Sequence, residues 1–111
     1  SEDEKHNPAA LALLGQLDSI DTIVDSPDFE DLLQTIEHDP KNCLAREQLS
    51  AHYKLRGDYL AAMDQLLEIV RNDRQYNNDA GRTELLKIFE LLGSNHELVS
   101  LYRRKLAQTL N

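Results

Sequence analysis

Between Lys54 and Asp73 the chain reads KLRGDYLAAMDQLLEIVRND, a Gly-Asp-Tyr turn followed by apolar residues at steps of three and four. Tyr59, Ala62, Met63, Leu66, Leu67 and Val70 fall on one side of a 3.6-residue period, which predicts an amphipathic helix with a broad buried stripe. Gly57 supplies a left-handed residue to end the preceding helix, expected from about Asn42 to Arg56 with Leu44, Leu49 and Tyr53 inward. A helix-turn-helix hairpin therefore sits at the centre of the sequence.

The same punctuation recurs on both sides. Asn7-Pro8 reads as a cap and a first-turn proline, opening a helix whose inward face is expected at Ala10, Leu13, Leu14, Leu17, Ile20 and Val24. Gly15 lies inside that helix and predicts close packing against a neighbour. Ser26 as cap and Pro27 as first residue open a second helix, with Phe29, Leu32, Leu33 and Ile36 inward and an end near Asp39-Pro40. Past the polar connector RNDRQYNNDAG, Leu85, Leu86, Phe89 and Leu92 mark a fifth helix closed by Gly93. Ser94-Asn95-His96-Glu97 reads as a capping box for a sixth, with Val99, Tyr102, Leu106 and Leu110 inside.

Three prolines and four glycines in 111 residues leave little for the turns of a small β-protein, so the chain is expected to be all-α. With 41% hydrophobic and 29% charged residues it has the make-up of one folded domain, expected at residues 8–111 behind a flexible acidic segment at 1–7. No apolar run approaches the ~18 residues that cross a bilayer, and the acidic start SEDEKHN is the reverse of a signal peptide, so a cytoplasmic location and no membrane partner are expected. The first residue is not Met, as in a piece of something longer. Net charge is −8, divided as −10 over residues 1–40 and +2 over residues 41–111. Such a chain lacks the concentrated basic face that phosphate neutralisation needs, which argues against nucleic acid.

Catalytic chemistry finds no foothold either. His6, His38, His52, His96 and the single cysteine, Cys43, never approach a zinc-binding spacing, and thiol-disulfide exchange needs a second cysteine two residues away. Asp25, Asp28, Glu30 and Asp31 cluster where a helix N-terminus favours acids, and no phosphate-binding glycine loop is present. No catalytic, metal or cofactor residue is expected, and the chain is read as no enzyme.

Six helices joined by short turns raise the question of repetition. Asp39-Pro40 is answered by Asp73-Arg74 34 residues later, which is the tetratricopeptide period. Between them, CLAREQLSAHYKLRGDYLAAMDQLLEIVRND resembles a tetratricopeptide unit with Gly57-Asp58-Tyr59 on its central turn. Small Ser50 and Ala62 sit where paired helices cross closely, with Tyr53, Leu66 and Ile69 filling the space beside them. Arg46 and Arg74 stand where the motif prefers Trp and Pro. The expected architecture is a right-handed solenoid of about three antiparallel helix pairs. Such a stack presents a concave face lined by first helices, here Glu47, Ala51 and Lys54, then Thr83, Lys87 and Glu90, a mixed-charge groove suited to polypeptide segments.

The last third, RTELLKIFELLGSNHELVSLYRRKLAQTL, resembles the C-terminal end of the YbbN/CnoX group of thioredoxin-like co-chaperones, the chaperedoxins, through Arg82, IFELLG at residues 88–93 and YRRKLA at residues 102–107. The resemblance implies a tetratricopeptide-like module of a holdase that binds unfolded clients and passes them to the chaperonin. It implies docking through the terminal helix, carried by Leu98, Val99, Tyr102, Leu106 and Leu110 with Arg103 and Arg104 alongside. The alternative is a scaffold that joins its own copies or an attached domain and contacts no client.

Overall fold

The computed structural model describes residues 7–111, and the described residues form six helices and no strand. They are α1 (Pro8–Ile23), α2 (Phe29–His38), α3 (Cys43–Leu55), α4 (Tyr59–Asn72), α5 (Ala80–Leu92) and α6 (Glu97–Leu110). Of the expected acidic segment at 1–7, residues 1–6 lie outside the described residues.

Local chemistry sets most of the boundaries. Asn7, Asn42 and Asp58 each accept a backbone N–H of the first turn that follows, from Ala9 at 2.8 Å, Ala45 at 3.0 Å and Ala61 at 3.1 Å. Gly57 ends the α3 segment at φ 76°, the left-handed conformation the sequence predicts there. Two start sites differ from expectation. Ser26 does not cap α2: its hydroxyl donates to the Pro27 carbonyl at 3.1 Å, and the helix begins two residues later behind Asp28. The capping box at residues 94–97 does not form, because a turn closes from His96 N–H to Gly93 O, and His96 itself caps α6 by accepting from Leu98 N–H at 3.1 Å.

The core is built around α4. Ala62, Met63, Leu66, Leu67, Ile69 and Val70 are all buried, held by α3 on one side and by Leu85, Ile88 and Phe89 of α5 and Val99, Tyr102 and Leu106 of α6 on the other. Each such large aliphatic side chain contributes roughly 1.5–3 kcal/mol on burial, which makes this cluster the main source of stability. Ala62 lies at the α3–α4 crossing, fully buried, with Ser50 buried on α3. At the far end α4 and α5 approach so closely that a Cβ on Gly81 would sit 3.0 Å from Val70 Cγ2 and 3.1 Å from the Leu66 carbonyl oxygen. Leu44 and Leu86, expected inward, are exposed instead, because each lies off the packed face of its helix.

A second cluster seats α2 on α3 through Leu32, Ala45 and Leu49. Phe29 anchors it, edge-on to Tyr53 at 5.3 Å and covered by the Arg56 guanidinium 3.6 Å from its ring centroid. The fold is thus an all-α, tetratricopeptide-like helical repeat, with α3–α4 and α5–α6 as successive hairpins and α2 stacked ahead of them.

The first helix breaks the expected pairing. α1 does not form a hairpin with α2; it packs across α3 and reaches α5. Its orientation also differs from expectation. Ser19 is its buried residue, and Leu11, Gly15 and Ile23 share that face, whereas Leu13, Leu14, Leu17, Ile20 and Val24 are exposed, from 46% at Ile20 to 66% at Val24. Ser19 is small enough to be fully buried against the neighbours, with Leu11, Gly15 and Ile23 half-buried beside it. A Cβ added to Gly15 would meet nothing within 4 Å, so no contact of its own requires glycine there.

Candidate protein-binding site

Two surfaces follow from this arrangement: the concave side formed by α3 and α5, and the outer side of α6. On the concave side the helix register that buries Leu49 and Leu85 turns Ala51, Lys54, Glu84 and Lys87 toward α1. Ala51 is buried and leaves room for a backbone to approach. Lys54 Nζ lies 3.2 Å from one Glu84 oxygen and Lys87 Nζ 3.1 Å from the other, so a single carboxylate ties α3 to α5. Lys87 also faces Asp18 of α1 at 3.8 Å. Burial works against ionisation of Glu84, but the two ammonium groups outweigh it and hold its carboxyl below the usual range. The same contact, with Asp18 adding to it, pushes the Lys87 ammonium above its ordinary value.

The groove residues expected from sequence are thus brought to one face, though not as an open row of solvated side chains. Thr83 and Glu90 remain exposed. Glu47 is engaged: it accepts from Tyr76 Oη at 3.1 Å and from Asn77 Nδ2 at 2.9 Å, fastening the connector between α4 and α5. Burial and then the Glu47 charge push the Tyr76 phenol up to about 12. The connector turns through Asn77, Asn78 and Asp79, all at positive φ, a conformation Asn and Asp tolerate better than other side chains. Beneath α1 a cavity of about 260 Å³ remains, lined by Leu11, Leu14, Lys54, Glu84, Ile88 and Leu91 among others.

On α6, Val99, Tyr102 and Leu106 point into the core, and Leu98 and Leu110 are half-buried against it. Tyr102 donates its phenol proton to Asp64 of α4, and burial together with that bond pushes its pKa well above the ordinary value. What α6 offers outward is Leu101, Arg103 and Arg104, with the Arg103 guanidinium 5.8 Å from the Phe89 ring centroid. The sequence makes this helix more apolar than one buried stripe requires, and Leu101 is the member of that surplus that the structure leaves exposed.

Reactive chemistry has no visible support among the described residues. No group of three or more His, Cys, Asp or Glu residues is placed to hold a metal ion, and every buried side-chain polar atom among them has a partner. Burial, followed by the Asp73 charge, pushes the Cys43 thiol up, opposite to the shift a nucleophilic thiolate needs. No helix among the described residues is long and apolar enough to cross a membrane.

A sequence model of the family described as Tetratricopeptide repeat matches residues 22–111, the span from the last turn of α1 through α6. No match was found among curated proteins or among solved structures. Units of this family are generally protein-interaction modules that stack helix pairs into binding surfaces. The 34-residue recurrence, the helix pairs stacked on α4 and the match over most of the chain agree, and the chain belongs to the tetratricopeptide repeat family.

Proposed function

We propose that this chain is the non-enzymatic interaction module of a thioredoxin-like holdase, binding unfolded client proteins and docking to the chaperonin through α6. The observation that carries the reading is the division of labour on α6. Its inner residues are locked to α4, which leaves Leu101, Arg103 and Arg104 as a rigid outward surface of one apolar and two basic side chains. The resemblance of residues 82–110 to the YbbN/CnoX group supplies the partner. Capture of the chain on immobilised chaperonin tests it. Leu101→Ala/Arg103→Glu/Arg104→Glu should abolish capture while leaving the thermal melt in place, and undiminished capture would exclude α6 as the docking surface. Truncation before Tyr102 is a poorer probe, since it removes Tyr102 and Leu106 from the core.

The exposed stripe of Leu13, Leu17, Ile20 and Val24 favours a second reading, a scaffold that joins copies of itself or an attached domain. Light scattering separates the two: a monomer at tens of micromolar speaks against self-association, and a dimer lost in Leu17→Glu/Ile20→Glu speaks for it.

A further inference from the structure

α1 turns an apolar seam to solvent. Leu13, Leu17, Ile20 and Val24 follow one another at steps of four, three and four, and all are exposed, from 46% at Ile20 to 66% at Val24. Val24, the cap residue, keeps helical angles at φ −50° and ψ −44°, so the seam runs unbroken past the last turn. Ser19, on the far side of the helix, is the residue of α1 that the core takes in, which points the seam away from α3 and α5. Steps of four and three are the heptad spacing at which one helix interlocks with another, and from Leu13 to Val24 they extend about 17 Å. The surface is a convex ridge rather than the concavity a small molecule needs, and the shape that fits it is a second helix.

Charge narrows the class of helix. One border of the seam carries Asp18, Asp21 and Asp25, all exposed, and Gln16 on the other border adds no charge. No lysine or arginine occurs between Pro8 and Pro40. The neighbouring faces do not reverse the sign: the two hollows beside α1 add Glu47, Glu84 and Glu90 against Lys54 and Lys87, and both lysines are already held by Glu84. A second copy of α1 laid on the seam, in either direction, brings only further acids to this acidic border, and like charges set side by side oppose the pairing. We propose that the Leu13–Val24 face of α1 is the docking site for an amphipathic helix of another polypeptide, one that carries Lys or Arg beside its own heptad seam. The proposal rests on the scaffold reading in taking this face as an interface, and it is independent of α6, so failure of chaperonin capture leaves it standing.

The test uses the full chain and two fluorescein-labelled peptides of about three heptads, both with Leu at the a and d positions and with either Lys or Glu at every e and g, read by anisotropy. At low salt the Lys peptide should bind about tenfold or more tightly than the Glu peptide, and the gap should close in ~1 M salt, where the screening length falls to about 3 Å. Asp21→Lys/Asp25→Lys should reverse the preference. Leu17→Gln/Ile20→Gln keeps the charge and alters only exposed positions, so it should weaken the Lys peptide about tenfold or more while leaving the thermal melt in place. Equal binding of the two peptides would overturn the choice of a basic partner, and undiminished binding to Leu17→Gln/Ile20→Gln would overturn the site. A dimer in light scattering that Leu17→Gln/Ile20→Gln dissolves would put a second copy on the seam, overturning the proposal while keeping the scaffold reading. A monomer that binds neither peptide would sink both.

Discussion

Single residues decide how tightly the helices meet, and two helical glycines make opposite predictions. At Gly81 a methyl group would press on Val70, Ile69 and the Leu66 carbonyl at 3.0–3.1 Å, one of them backbone that does not swing aside. Gly81→Ala should therefore cost about 1 kcal/mol net of the helix propensity gained, and Gly81→Leu about 3 kcal/mol or more. Gly15→Ala meets nothing within 4 Å and should stabilise by about 0.5–1 kcal/mol. Urea denaturation of the three variants checks both signs. Tyr102 makes a pH prediction. Its phenol is neutral and donating in the folded chain, with a pKa raised above the ordinary 10.0 by burial and by Asp64. The stability it contributes is complete below pH ~10, where the unfolded chain also keeps its proton, and declines as the pH rises above that value. The urea midpoint should fall between about pH 10 and 11.5, and fall less in Tyr102→Phe, which has no proton to lose.

At the scale of elements, α3 and α4 form the hinge of the packing. Ala62→Leu should wedge that crossing apart and cost roughly 1–3 kcal/mol. Lys54→Ala, a neutral change if the groove were simply solvated, should cost about 0.5–1 kcal/mol, because the side chain is only 13% exposed and paired with Glu84. A thermal melt ranks the two, and equal stability would contradict the register of the hairpin. The α3–α6 pattern is legible in the sequence because each element has a dominant stripe between strong stops, Gly57 and Gly93 among them, and only its edges, at Leu44 and Leu86, are misplaced. The face of α1 is not. Apolar residues run without a break from Pro8 to Leu14, so periodicity offers two faces, and transfer energy alone favours the leucine-rich one. The seating of a fully buried Ser19 goes the other way, and spacing within one helix carries no information about the shape of its neighbour. The Ser26 cap fails because its hydroxyl is spent on the Pro27 carbonyl, and the Ser94 cap because the turn from His96 N–H to the Gly93 carbonyl delays the helix start to Glu97.

For the whole molecule, the balance between groove, α1 and α6 is the part a linear reading does not reach. Place in the repeat nominates Glu47, Lys54 and Lys87, and the structure gathers them on one face, but apart from the local Lys87–Glu84 pair their partners are distant in the chain: Tyr76 and Asn77 for Glu47, Glu84 for Lys54 and Asp18 for Lys87. Every step from fold to function turns on α2 to α6 forming one cooperative tetratricopeptide core, against which α1 packs with Ser19 as its one buried residue. Native-state hydrogen exchange of the full chain is the decisive experiment. Amides of residues 12–23 should exchange about a hundredfold or more faster than those of residues 63–70, reporting local release of α1 while the core stays folded. Protection of α1 equal to that of α4 would refute this, since it would make the first helix an integral part of the core.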